Sequence, residues 1–215
     1  MKILVFDTET NGLPVGKNPS FYDCEKWPYI VQMSYILFDT ELNKILTEHD
    51  WIIKVPDIVE IKNDHIHGIS KQKSNIEGID IKYALEYFDI CLNNCDMIVG
   101  HNIQFDKKMI IIENIRLGRT SAFKFIKPQQ YCTMINGTKI CNLQIENKKN
   151  SNSSHLKYPT QSELHYNLFN TLPKGVHNSF IDILICMRCF YKMNFGIDLC
   201  DVNLYFKNKF KSISL

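Results

Sequence analysis

The chain has 215 residues, 45% of them hydrophobic and 22% charged, the make-up of one ordinary globular domain with a substantial core. Its formal net charge is only +2, which excludes a protein that coats nucleic acid by bulk electrostatics but not one that grips a few phosphates. No run approaches the roughly 20 apolar residues of a membrane span, and Asp7 and Glu9 interrupt the first apolar stretch too early for a signal peptide. An intracellular protein, cytoplasmic or nuclear and not secreted, is expected.

Taken in chain order, the pattern predicts strands over Lys2–Phe6, Ile30–Phe38 and Trp51–Val55. A turn-rich insert, Gly12 to Pro28, separates the first two, and Glu41–Lys44 looks like the connection of an antiparallel pair. Apolar residues three and four apart from Ile79 to Leu92 predict an amphipathic helix. Met97–Gly100 reads as a short buried strand, with a helix from about Phe105 to Leu117 after it. The polar stretch Glu146–Ser154 reads as a disordered loop. Helices follow over Gln161–Phe169 and Ser179–Met193, and the tail from Asp198 is ambiguous. Strands first and a βα alternation after them predict an α/β domain with a mixed sheet.

The eight cysteines are scattered. Cys186 and Cys189 have the spacing of a zinc half-site, but no second close pair completes a ligand set, and their apolar helical run favours core packing. Without a secretory signal, reduced thiols are expected.

The chemistry concentrates elsewhere. In Phe6-Asp7-Thr8-Glu9 an apolar run ends in two carboxylates two residues apart, so both project from one face of a strand end. Carboxylates held that close repel unless a cation lies between them, and hard divalent cations prefer oxygen ligands. Asp106 falls in the first turn of a predicted helix, Asp182 lies inside a late helix, and His177 precedes that helix on a loop. Asn178 or Ser179 is suited to cap the helix. Singly, each has a structural explanation such as capping. Four carboxylates from three separate elements beside one pre-helical histidine point to a metal-dependent site.

On these residues the chain resembles the DEDDh-type 3′–5′ exonucleases of the DnaQ-like family, relatives of the proofreading epsilon subunit of bacterial DNA polymerase III. The resemblance rests on Phe6-Asp7-Thr8-Glu9-Thr10-Asn11-Gly12-Leu13, on Gly100-His101-Asn102-Ile103-Gln104-Phe105-Asp106 and on His177-Asn178-Ser179-Phe180-Ile181-Asp182. It runs from Lys2 to about Lys192. The departures are mild: Ser179 stands where alanine is usual, and Asn170 replaces a frequent glycine.

The resemblance implies an RNase H-like fold, a central mixed five-stranded sheet flanked by helices. Residues 1–195 would form the exonuclease domain, with 196–215 a C-terminal extension of the same domain. It also implies hydrolysis of the 3′-terminal phosphodiester of DNA, at single-stranded or mispaired ends, with release of nucleoside 5′-monophosphates in repair or proofreading. Two Mg²⁺ ions, for which Mn²⁺ can substitute, would be held by Asp7, Glu9, Asp106 and Asp182, with His177 as general base. Thr8, Thr10, Ile66, His67, His101, Asn102 and Phe105 would bind the last nucleotides. Lys107, Lys108, Lys207, Lys209 and Lys211 are either phosphate contacts or a solvated face. The expected partners are DNA 3′ ends and a DNA polymerase served in trans. An RNA exonuclease of the oligoribonuclease kind and an inactive nucleic-acid-binding module are the alternatives.

Overall fold

The structure is a computed structural model that describes residues 1–146 and 154–214. A five-stranded sheet carries the fold, in the order β3-β2-β1-β4-β5. The central strand β1 (Lys2–Thr10) pairs antiparallel with β2 (Ile30–Asp39), which pairs antiparallel with β3 (Lys44–Ile52). On its other side β1 runs parallel to β4 (Met97–Gly100), and β4 parallel to β5 (Gln129–Cys132).

The run Ile3-Leu4-Val5-Phe6 is buried on both faces, with every residue at most 1% exposed, which is what a central strand covered by helices on both sides requires. Leu4 and Phe6 enter one core with Tyr35, Phe88 and Phe123, beneath α3 (Ile81–Asn93) and α4 (Ile103–Arg116). Ile3 and Val5 enter a second core with Ile183, Phe190 and Phe206, beneath α7 (Ser179–Phe195). Beyond Phe6 the strand continues through Asp7 and Glu9 because β2 stays paired with it, Asp7 to Ser34 and Glu9 to Gln32.

The smaller elements fill the margins. Helices α1 (Asp64–His67) and α2 (Lys71–Glu77) precede α3, and α5 (Thr133–Cys141) follows β5. Strands β6 (Gln144–Glu146) and β7 (Ser154–Leu156) form a separate pair. Helix α6 (Gln161–Phe169) precedes α7, and the tail folds as α8 (Leu199–Val202) and α9 (Leu204–Ser214). The expected loop Glu146–Ser154 lies outside the described residues except at its ends, which pair with each other.

The third strand is a correction: it spans Lys44–Ile52, not Trp51–Val55. Ile53 makes only an isolated bridge to Ile79, and Val55 packs with Val31 and Ile69 in a small third cluster. The apolar run misleads because β3 is an edge strand of mixed polarity, with Lys44, Leu46 and Asp50 exposed.

Arg116 ties the insert between β1 and β2 to α4. The Arg116 guanidinium donates to the carbonyls of Cys24 (2.8 Å), Trp27 (2.6 Å) and Pro28 (2.9 Å) and to Glu113 Oε1 (2.7 Å). It also lies 3.7 Å from the Tyr29 ring centroid. Cys186 and Cys189 are buried in the second core, and all eight thiols are free.

Candidate active site

Asp7 and Glu9 leave the end of β1 on the face toward α7, as their spacing on a strand requires. Asp182 projects from the first turn of α7, where the Asn178 side chain caps the helix by accepting from the amides of Phe180 and Ile181. Ligand oxygens of Asp7, Glu9 and Asp182 lie within 4.8 Å of one another, the one such convergence of His, Cys, Asp and Glu among the described residues.

Asp106 stands on the same wall, in the first turn of α4. The chain turns sharply from β4 into that helix: Asn102 takes a left-handed φ of 64°, and a Cβ at Gly100 would come within 3.1 Å of the Ile103 side chain. The Thr8 amide and hydroxyl both donate to Asp106 Oδ1, at 3.1 and 2.8 Å.

The four carboxyls are perturbed together. Burial, followed by repulsion from Asp106, Asp182 and Glu9, holds Asp7 well above the usual carboxylate range. Burial and then the charges of Asp182 and Asp106 raise Glu9 to about 8. Burial raises Asp106 to about 7 against the opposing Thr8 bonds, and raises Asp182 to about 7 against the amide of His177. An all-oxygen donor set that resists ionisation in the absence of positive charge suits a hard divalent cation.

A cleft of about 690 Å³ brings together Asp7, Thr8, Glu9, His101, Asn102, Phe105, Asp106, His177 and Asp182. His177 has a left-handed φ of 68°, uncommon for a residue with a side chain. Its amide donates to Asp182 Oδ2 at 2.9 Å. The main chain of the loop before α7 is therefore tied to the carboxylate, and the movement left to His177 is that of its exposed imidazole.

Other expected contacts are placed differently. Thr10 and Ile66 are not among the lining residues; Thr10 is buried and donates to the Gly12 carbonyl at 2.7 Å. His67 is buried and also not among the lining residues, its Nδ1 accepting from the Ile69 amide at 3.2 Å. Thr8 lines the cleft but gives both its donors to Asp106. His101 lines the cleft, but Thr133 Oγ1 (3.0 Å) and the Pro159 carbonyl (3.1 Å) occupy its ring nitrogens. Burial holds it neutral, down to about 4. Lys209 pairs with Glu48 at 2.6 Å rather than standing free for phosphate.

Leu13, at the end of the first motif, also lines the cleft, as do residues outside the motifs, among them Gln161 and the well-exposed Tyr158. Gln161 Nε2 donates to the Asp182 carbonyl (2.7 Å) and to its Oδ1 (3.2 Å). The nearest clue is the capping box of Thr160 and Glu163, which fixes where α6 begins and so where Gln161 stands.

The fold is of the RNase H-like α/β class, a mixed five-stranded sheet flanked by helices. Among solved structures the chain is similar to Escherichia coli exonuclease I in complex with a dT13 oligonucleotide. The TM-score is 0.64 at 14% identity, over 89% of this chain and 41% of that one. It is similar to the zinc-ion-bound form of the exonuclease I–ssDNA complex (0.63, 14%, 94% and 42%). It is likewise similar to the product-bound form (0.61, 14%, 98% and 46%). The chain thus spans less than half the length of those proteins. No protein-family model and no curated protein matches the chain.

Proposed function

We propose that the chain is a metal-dependent 3′–5′ exonuclease that removes nucleoside 5′-monophosphates from single-stranded or mispaired DNA ends. The observation that carries this is the convergence of Asp7, Glu9 and Asp182, with Asp106 beside them, in an open cleft on this fold. The likeness to an exonuclease solved with single-stranded DNA supports it.

Asp7, Glu9 and Asp182 would hold Mg²⁺, with Asp106 contributing from the α4 side to a second ion, and Mn²⁺ would serve as well. Bound cations in such a site lower the pKa of water and neutralise charge on the leaving oxygen. The protein's part is to orient these groups and move the proton. Thr8 fixes Asp106, while Gln161 and the His177 amide fix Asp182. The His177 imidazole, exposed in the cleft, accepts the proton of the attacking water on a ring nitrogen. Phe105 offers an aromatic face to the last bases, a contact tolerant of sequence.

Repair, or proofreading in trans to a DNA polymerase, belongs to the same proposal. So does an intracellular setting, which the eight free thiols fit. No described helix is long and apolar enough to cross a membrane.

The test uses 5′-labelled single-stranded DNA, duplex with a 3′ mismatch, and matched RNA, each with Mg²⁺, Mn²⁺ or EDTA. A 3′-directed ladder on DNA that EDTA abolishes is expected. Degradation confined to RNA would shift the substrate to RNA, and products unaffected by EDTA would remove the metal-dependent reading.

A further inference from the structure

The first turn of α7 carries Asp182 and follows His177, so whatever fixes that turn fixes half of the cleft's chemistry. Beneath it lies a set of polar side chains outside the cleft. Asp7, Ser34 and Asp50 occupy one rung of the sheet, on β1, β2 and β3 in turn, and Gln32 lies opposite Glu9. Ser34 and Ser179 are fully buried, with their hydroxyl oxygens 2.5 Å apart. Gln32, 3% exposed, accepts the Ser179 amide at 3.1 Å on Oε1 and donates from Nε2 to Asp50 Oδ1 at 2.7 Å. The Ser34 hydroxyl donates to the same Asp50 oxygen at 2.8 Å.

An ionised carboxylate only accepts hydrogen bonds. Asp50 therefore sets the direction of every bond in the set. With the Ser34 proton turned to Asp50, the Ser179 hydroxyl must donate to Ser34. With the Gln32 amide nitrogen turned to Asp50, its carbonyl must face the Ser179 amide. A network that is buried at Gln32, Ser34 and Ser179 and ends on the exposed Asp50 admits one arrangement and rigidifies what it joins, whereas apolar contacts alone let a helix slide or turn on a sheet.

We propose that Gln32, Ser34 and Asp50 are positioning residues. Through Ser179 they hold the first turn of α7, and with it Asp182 and His177, at working distance from Asp7 and Glu9. The proposal rests on the nuclease reading above.

Its test compares wild type with Ser179→Ala, Ser34→Ala, the double variant and Asp50→Ala. Cys189→Ala, a buried change further along α7, is the control for lost stability. The readouts are melting temperature, Mn²⁺ affinity by calorimetry without substrate, and kcat and KM on a dT oligonucleotide. Ser179→Ala and Asp50→Ala are expected to lower kcat about tenfold with KM within about twofold, and to weaken Mn²⁺ several-fold. Cys189→Ala should lower the melting temperature without moving Mn²⁺ affinity, and the two serine changes should be non-additive. Wild-type Mn²⁺ affinity in Ser179→Ala and Asp50→Ala overturns the proposal, as does an equal Mn²⁺ loss in Cys189→Ala. A wild type that binds Mn²⁺ yet leaves DNA intact ends the nuclease reading instead, and the Mn²⁺ comparison then still decides this one.

Discussion

Asp7 and Glu9 were legible from the sequence because an apolar run that stops at two like charges has few structural uses. Their energetics needed the fold. In the unfolded chain the four carboxyls of the cleft titrate near about pH 4. Folded and free of metal, burial and mutual repulsion carry Glu9 to about 8, Asp106 and Asp182 to about 7, and Asp7 well up. Between those limits the folded state binds more protons than the unfolded state, so its stability is greatest at the acid end and falls as pH rises. The melting temperature in EDTA should therefore drop from about pH 5.5 to about pH 8, and Mg²⁺ should raise it more at the higher pH. Equal Mg²⁺ increments at both would remove the coupling. His177→Ala should lower kcat by about a hundredfold or more while leaving Mn²⁺ affinity in place; unchanged turnover would exclude it as the base. What the sequence hid at this scale are partners with no motif of their own: Gln161 meets Asp182, and Asp50 meets Ser34, only once helix and strands are assembled.

The elements that sequence periodicity located best, α3, α6 and α7, have strong apolar stripes or clear caps. Those it missed are short or of low contrast. Strand β5 is four residues long with two exposed glutamines at its start, and α5 contains threonine, asparagine and glycine, weak helix formers. Gly137 in α5 is there for closeness, since a Cβ would come within 2.8 Å of Leu164 on α6. The turns of the insert before β2 are legible in its prolines and glycines, but the contacts that tie it down are not. Arg116→Ala should cost about 3–5 kcal/mol, because it frees three carbonyls and strands Glu113, which burial already holds above its ordinary range. Arg116→Lys should recover little, since an ammonium cannot reproduce the planar fork. Urea unfolding measures both, and a lysine variant of wild-type stability would show that charge alone suffices.

At the scale of the whole molecule, the α/β class and mixed sheet follow from the order of strands and helices, whereas the tail was opaque because its apolar residues face a core built by distant segments. Leu199 and Phe206 are fully buried in that core and Phe210 is 6% exposed. At about 1.5–3 kcal/mol for each large apolar side chain buried, cutting the chain after residue 195 should unfold it or lower its melting temperature steeply. A truncated chain that melts like the full one would show the tail to be an appendage. The cleft draws Asp7 from β1, Asp106 from α4 and Asp182 from α7, so its groups span most of the chain's length. A nascent chain carries Asp7 and Glu9 long before Asp182 is made, and the carboxyls converge only once α7 has left the ribosome and closed on the sheet.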